Sequence, residues 1–460
     1  MQDLYDVAII GSGPGGYIAG IKAGQLGLKT AVIEAEEIGG TCLNWGCIAT
    51  KSLLAGSDML RQVKSAAAFG IKVEGVSYDF PFIFARSRKI IAKMRMGIKY
   101  LFKKNNVDFI EARAFIKDNR TIELTDKEGG ISILKTNNII IATGSAPAEI
   151  EGIETDGNLI MNSRHALLSD TLPSSVLIIG GGAVGLEFAD FYNAFGTSVT
   201  LAEFAPRIIP AADEEIATLA EASFRKQGIT ILTSTKATLV KKEKDKVLVT
   251  LLDKDGKETK AEFAKVIVAV GVTPNIHNIG LENLSDVKLE KGHIVTDGLM
   301  RTGAKGVYAI GDITAAPWLG HKAMAEGVIA ARAIKGEKDI SPINPLHIPF
   351  CIYSHPQIAG FGLTEVKAKE QGLDISIGKF PLMANSKAIT SGHTEGIIKL
   401  ITDKQKGEIL GAWLFGDNVT ELINAVISES LKDKIFPHPT LSEIIPEAYL
   451  AATLGNALNI

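Results

Sequence analysis

Short, almost wholly apolar runs punctuate this chain, and two of them are followed by the same series of elements. Val7-Ala8-Ile9-Ile10, entered through Tyr5-Asp6, has no polar face and predicts a strand buried on both sides. A glycine-rich turn follows at residues 11–16, and residues 17–28 read as a helix. Thr30-Ala31-Val32-Ile33 is a second apolar run and ends on Glu34. Far downstream the series returns. Val176-Leu177-Ile178-Ile179 leads into a turn at 180–185, a helix to Phe195, and the run Ser198-Val199-Thr200-Leu201-Ala202 closed by Glu203. Each half then ends on an apolar strand that breaks at glycine, Ile139-Ile140-Ile141-Ala142-Thr143-Gly144 and Val266-Ile267-Val268-Ala269-Val270-Gly271. Buried strands alternating with helices predict parallel sheets of the α/β class.

The remaining pattern is less regular. Residues 51–69 and 83–104 read as helices, and Gly306-Val307-Tyr308-Ala309-Ile310-Gly311-Asp312 as a strand that delivers an acid at a glycine turn. From Pro345 onward, strands such as Ile397-Ile398-Lys399-Leu400-Ile401 mix with helices near Glu421 and Ser442. No third glycine turn of the first kind occurs there, so that region is not expected to bind a nucleotide. At 460 residues the chain exceeds one core and predicts about three domains.

The two glycine turns carry chemistry. Gly11, Gly13 and Gly16 have the spacing in which the first glycine allows the tight turn, the second lets backbone approach a pyrophosphate, and the third lets helix pack on strand. Gly180, Gly182 and Gly185 repeat it. A strand before, a helix after and an acid about 20 residues on complete the fingerprint, and Glu34 and Glu203 supply that acid. The alternative is a structural strand–helix–strand unit with no ligand. Two matching units imply two nucleotides. A carboxylate at the ribose accepts from a free 2′-hydroxyl and repels a 2′-phosphate, so Glu203 favours NAD, with Arg207 nearby as the one feature that favours NADP.

Composition narrows the class. The chain is 46% hydrophobic and 22% charged, as expected of a soluble globular protein. Its net charge of −3 gives no reason to expect nucleic acid or an acidic membrane as partner. Three cysteines cannot build a disulfide framework. No basic leader with an apolar core opens the chain and no apolar run reaches membrane-spanning length, so a cytoplasmic protein is expected, or a processed mitochondrial-matrix one if the source is eukaryotic. Cys42 and Cys47 stand five apart, beyond easy disulfide reach along an unbroken helix, although Gly46 could admit a distorted turn. They read either as two small buried thiols or as an easily reduced redox pair.

The surrounding stretch Gly39-Gly40-Thr41-Cys42-Leu43-Asn44-Trp45-Gly46-Cys47-Ile48-Ala49-Thr50-Lys51 resembles the redox motif of the flavin-dependent pyridine nucleotide–disulfide oxidoreductases. The resemblance extends through both fingerprints, Gly311-Asp312, His321-Lys322-Ala323 and His438-Pro439-Thr440-Leu441-Ser442-Glu443. It implies two Rossmann-like dinucleotide-binding domains, for FAD and NAD, followed by a C-terminal α+β dimerisation domain. The expected boundaries are 1–147 for the first FAD part, 148–271 for NAD, 272–343 for the return to the FAD domain and 344–460 for the interface domain.

The resemblance also assigns roles. Cys42 and Cys47 form the redox disulfide, Cys42 attacked by substrate and Cys47 against the flavin, with Lys51 as the cation beside it. Gly144, Asp312 and Ala323 join Gly11, Gly13, Gly16, Glu34 and Lys51 around FAD. Gly180, Gly182, Gly185, Glu187, Glu203 and Gly271 line the NAD side, with Glu187 matching the acid that pairs with Lys51. His438, oriented by Glu443, is the base, although Glu443 also fits a capping box and His438 a solvated turn. Glu203 and a thiol-free tail point to the branch that oxidises protein-bound dihydrolipoamide with NAD. The expected partners are a second copy of the chain and a lipoyl-bearing acyltransferase or H-protein, with no nucleic acid, membrane or metal. A relative acting on another disulfide, such as glutathione, is the alternative. Ala49 replaces a usual proline, and Phe436-Pro437 a usual His-Ala.

Overall fold

Val7–Ile10 is the middle strand of a five-stranded parallel sheet in the computed structural model, which describes residues 4–427 and 434–459. The spatial order is Val307–Ala309, Ile139–Ile141, Val7–Ile10, Thr30–Glu34, Val107–Glu111, and every pairing is parallel. Ile9 sits between Val32 and Ile140, and all three are fully buried, as strands covered on both faces require. Two sequence boundaries move. The run from Tyr5 splits at Asp6, whose carboxylate accepts the Lys29 N–H at 2.8 Å; Leu4–Tyr5 then pairs with Lys135 and Thr136 in a separate four-stranded sheet. The following helix, α1 (Pro14–Gln25), starts three residues earlier than the pattern of apolar positions indicates, because Pro14 opens it without needing an N–H partner.

These strands belong to the first of two compact units, formed by Met1–Ser52, Pro81–Ala148 and Val272–Ile343. It also holds α2 (Gly40–Trp45), the start of α3 (Cys47–Ser65) and nearly all of α4 (Phe80–Lys104). α3 begins at Cys47, four residues before the expected Lys51, since Gly46 breaks the helix there and not later. A short ladder of Ser145–Pro147 with Val272–Pro274 marks where the chain leaves this unit and returns.

The second unit comprises Leu53–Phe80, Glu149–Gly271 and Asn344–Ile460. Its parallel sheet runs Ile160–Asn162, Lys265–Val268, Ser175–Ile179, Ser198–Ala202, Thr230–Leu232. A three-stranded antiparallel sheet follows, and then a five-stranded one made entirely from residues after Pro345, ordered Phe350–Ile352, Gln357–Gly362, Ile409–Gly416, Ile397–Asp403, Ile375–Pro381. Helices Val419–Ile427 and Ile444–Leu454 cover it through a core that includes Phe361, Phe380, Leu400, Leu414, Ile423 and Ile444. Lys399 lies inside one of these apolar strands at 2% exposure. Asp213, Glu365 and Glu215 meet its ammonium at 2.9, 2.7 and 3.1 Å, which is what a buried cation requires. Among the described residues no helix is long and apolar enough to cross a membrane, and no group of three or more His, Cys, Asp or Glu is placed to hold a metal.

Candidate active site

The two glycine turns are built alike, atom for atom. Gly11 has φ +102°, and a Cβ there would lie 2.3 Å from the Ala142 oxygen. Gly180 has φ +113°, and a Cβ would lie 2.4 Å from the Ala269 oxygen. A Cβ on Gly16 or Gly185 would stand 1.9 Å from the oxygen of Gly11 or Gly180, so helix and strand close on each other only without a side chain. The middle glycines differ. Nothing lies within 4 Å of a Cβ on Gly13 or Gly182, and each begins a helix whose N-terminus faces that open space. A pyrophosphate fits such a cradle, taking the place a side chain would fill.

The paired acids hold these turns in shape. Glu34 accepts from the Ser12 N–H at 2.9 Å, the Ser12 hydroxyl at 2.6 Å and the Glu36 N–H at 2.9 Å. Glu203 accepts from the Gly181 and Ala205 N–H groups, both at 2.6 Å. A carboxylate has about four lone-pair sites, so each acid keeps capacity for a ribose hydroxyl. Arg207 pairs with Glu214 at 3.5 Å, and its Nε is buried without a hydrogen-bond partner. Glu187, 5% exposed one turn along the second fingerprint helix, accepts the Tyr353 N–H at 3.0 Å. Gly271 has φ +110° where its strand ends.

Other predicted residues gather around the first turn. Gly144 (φ +68°) accepts the Asn275 N–H at 2.9 Å beside the ladder that rejoins the unit. Asp312 accepts the Ser145 hydroxyl at 2.6 Å. Ala323 packs under α1, where a Cβ on Gly15 would sit 3.0 Å from its oxygen. Behind it Glu326 accepts the Gly311 N–H at 2.7 Å and pairs with buried Lys322 at 2.6 Å; burial raises the Glu326 carboxyl although Lys322 opposes the rise.

Cys42 lies on α2 and Cys47 opens α3. On one continuous helix, residues five apart point about 140° away from each other. The break at Gly46 (φ −145°, ψ −123°) turns the second helix back, and the two sulfurs lie 2.6 Å apart. A Cβ on Gly46 would crowd the Thr41 oxygen at 3.1 Å and the Cys42 Cα at 3.2 Å. No disulfide joins them in this structure, and the two sulfurs stand in hydrogen-bond contact. That hydrogen bond, then burial and the neighbouring Cys47, push the Cys42 thiol up, while Lys51 pulls it down. Ala49 is fully buried, and the Thr50 N–H and hydroxyl both close on the Gly46 oxygen at 2.9 Å, so the loss of proline does not open this turn.

Two neighbours of the thiols were not singled out from the sequence. Tyr17, one turn into α1, has its phenol pushed up by burial and then by Cys42 and Cys47. Asn44, between the cysteines, is completely buried. The available signal was position: Tyr17 directly follows the fingerprint glycines, and Asn44 is a polar residue inside the motif.

In the second unit, His438 Nδ1 lies 3.0 Å from Glu443 Oε1, and the other Glu443 oxygen accepts the Thr440 N–H at 2.8 Å. Partial desolvation works against it, but the Thr440 N–H and His438 hold the Glu443 carboxyl below its ordinary value. One carboxylate thus serves both readings, as cap and as orienter of the ring. With Nδ1–H directed at Glu443, Nε2 is the nitrogen left to accept a proton, on a ring that is 72% exposed.

A dithiol in sulfur contact, two dinucleotide cradles and an acid-oriented imidazole define a disulfide oxidoreductase that works with nucleotides. Comparison with known proteins agrees. Residues 5–327 match the family model for pyridine nucleotide-disulphide oxidoreductases and residues 348–449 the model for that family's dimerisation domain. The chain belongs to the pyridine nucleotide–disulphide oxidoreductase family. It is 42% identical to the dihydrolipoyl dehydrogenase of Zymomonas mobilis and 43% identical to that of Rhizobium etli, each alignment covering 100% of both chains. The dihydrolipoyl dehydrogenase of Bacillus subtilis is 38% identical over the same full coverage. Among solved structures, LpdA of Mycobacterium tuberculosis superposes with a TM-score of 0.88 at 26% identity, covering 96% of this chain and 98% of that one. The HOCl-induced flavoprotein disulfide reductase RclA of Escherichia coli, as its Cu(II) complex, gives 0.86 at 26%, covering 97% and 99%.

Proposed function

We propose that this chain is an NAD-dependent dihydrolipoyl dehydrogenase, an FAD flavoprotein that oxidises protein-bound dihydrolipoamide and reduces NAD. The observation that carries this reading is the 2.6 Å contact of Cys42 and Cys47 in a chain fully alignable with several enzymes of that name. FAD belongs in the cradle of Gly11, Gly13 and Gly16, with Glu34 toward its ribose and Gly144, Asp312 and Ala323 around it. NAD belongs in the cradle of Gly180, Gly182 and Gly185, with Glu203 toward its ribose and Glu187 and Gly271 nearby.

When bound, FAD supplies the two-electron relay between dithiol and nicotinamide. The protein's own residues do the proton work. A substrate thiolate attacks Cys42, and Cys47 leaves as a thiolate, favoured by Lys51 one turn further along α3. His438 takes the proton from the substrate thiol through Nε2, while Glu443 holds the ring's tautomer. In a homodimer, which the matched dimerisation domain supports, His438 of one copy serves the thiols of the other. The physiological substrate is the lipoyl group of an acyltransferase or H-protein.

The test is a steady-state comparison on the purified protein. Dihydrolipoamide with NAD is expected to turn over at least about 100-fold faster than glutathione disulfide with NADPH, the scale set by removing matched general base and ribose contacts. The reverse preference would transfer the reading to a glutathione-type reductase.

A further inference from the structure

The loop between the two cysteines is gripped from α4. Asn44 Nδ2 donates to the Ile38 oxygen at 3.1 Å, the Gly40 oxygen at 2.8 Å and, more weakly, the Glu37 oxygen at 3.4 Å. Its Oδ1 accepts from Arg95 Nε at 2.5 Å, and its main-chain oxygen accepts from Arg88 at 3.2 Å. Arg88 and Arg95 stand seven residues apart, two turns along one face of α4, so both guanidiniums meet the same loop. Arg95 also pairs with Glu37 at 2.9 Å, at the entry to α2.

This arrangement is costly in isolation. The Nε and one terminal nitrogen of Arg88 are buried without hydrogen-bond partners, and Arg88 is disfavoured as a cation first by burial and then by Arg95. Unpaired buried donors destabilise a fold. What they hold is the segment whose turn brings the sulfurs together.

We propose that Arg88 and Arg95 are positioning residues for the dithiol, fixing Asn44 so that Cys42 and Cys47 stay in contact and their disulfide closes readily. This rests on the pair being a redox couple. Closing it removes two protons and two electrons from the two thiols, forms one sulfur–sulfur bond, and passes the electrons to an acceptor disulfide that becomes a dithiol. The equilibrium then depends on how often the two sulfurs meet, which a fixed Asn44 raises and a loosened one lowers.

The experiment uses the full-length flavin-loaded protein, equilibrated without oxygen in mixtures of reduced and oxidised dithiothreitol and then alkylated. Mass spectrometry reads the fraction of Cys42 joined to Cys47. Arg95→Gln is expected to move the equilibrium about tenfold toward the dithiol, a rise of about 30 mV for this two-electron couple. Arg88→Gln is expected to move it in the same direction by a smaller factor. Asn44→Ala, which also removes the donations to the Ile38, Gly40 and Glu37 oxygens, is expected to shift it at least as far as Arg95→Gln, and the double variant little further than Asn44→Ala alone, because the contact that Arg95 makes with Asn44 is then already gone. A merely structural role would lower the melting temperature and leave the equilibrium in place. The proposal is overturned if Arg88→Gln and Arg95→Gln both stay within about twofold of wild type, or if the Asn44 and Arg95 shifts add. Should Arg95→Gln not fold, Arg88→Gln and the partial variant Arg95→Lys carry the same test. If wild type forms no Cys42–Cys47 disulfide in any mixture, the redox reading of the pair fails first, which is a separate result.

Discussion

Arg61 donates to one carboxylate oxygen of Asp190 at 2.6 Å, and the other oxygen of that fully buried acid has no hydrogen-bond partner. Burial pushes the Asp190 carboxyl up to about 7; Arg61 and the His355 N–H oppose the rise, and Asp58 adds to it. His393 and Asp417 bear in turn on the His355 imidazole, which burial holds below its usual range. A carboxyl raised on folding keeps a proton that the unfolded chain has released. The stability it contributes is therefore whole below about pH 4, the unfolded value, and is lost as pH rises through about 7. Asp190→Asn abolishes that loss. Denaturant melts at pH 5 and pH 8 are expected to show the variant gaining about 1–3 kcal/mol on wild type between the two. Parallel pH slopes would contradict the assignment.

The glycine turns predict a contrast within each fingerprint. Alanine at Gly13 or Gly182 meets no protein atom and sits at φ −61° or −78°, which any residue adopts. Gly13→Ala is expected to lose flavin without losing apoprotein stability, and Gly182→Ala to raise the KM for NAD while retaining flavin. Alanine at Gly16 or Gly185 must displace backbone and costs about 1–3 kcal/mol in stability as well. Flavin absorbance, NAD kinetics and melting curves on the four variants check this. Equal destabilisation at the middle and last glycines would contradict it.

Glu203 decides between the nicotinamide cofactors and also braces its turn through Gly181 and Ala205. Glu203→Gln keeps the side chain's size and one of the two acceptors that brace the turn, and removes the charge. The NAD:NADP ratio of kcat/KM is expected to fall about tenfold or more, through recovery of NADP in place of a collapse in both. An unchanged ratio would show that the carboxylate does not face the ribose.

His438→Gln is expected to depress dihydrolipoamide oxidation about 10²–10⁴-fold while sparing NADH-driven reduction of artificial acceptors, which needs no thiol proton. Glu443→Gln will lose less activity. It also weakens the bond to the Thr440 N–H, so a capping loss of about 1 kcal/mol in stability accompanies it. Equal loss in both half-reactions would remove His438 from the proton path.

Much of this was legible in the sequence because glycine spacing encodes backbone sterics directly. The carbonyls that exclude a Cβ at Gly11, Gly16, Gly180 and Gly185 come from the turn itself or from the strand that closes each half. The motif around Cys42 and Cys47 likewise specifies its own break, since Gly46 lies between them. What the sequence did not reveal depends on contacts between distant segments. Arg95 reaches Asn44 across 51 positions, Asp190 meets Arg61 across 129, and Lys399 meets Asp213 across 186. No local pattern names those partners. Lys399 reads as one polar residue in an apolar strand, and Arg88 and Arg95 as two more cations on a basic helix.

The proposed function depends most directly on the traffic of electrons through one pair of sulfurs. The protein is oxidised, freed of reagents, mixed without oxygen with one equivalent of dihydrolipoamide, and alkylated before and after NAD is added. Mass spectrometry then follows Cys42, Cys47 and Cys351 separately. The expected result is that dihydrolipoamide makes Cys42 and Cys47 alkylatable together, that NAD restores their disulfide as NADH appears, and that Cys351 is unaffected. NADH appearing while Cys42 and Cys47 keep one state throughout would contradict the central claim.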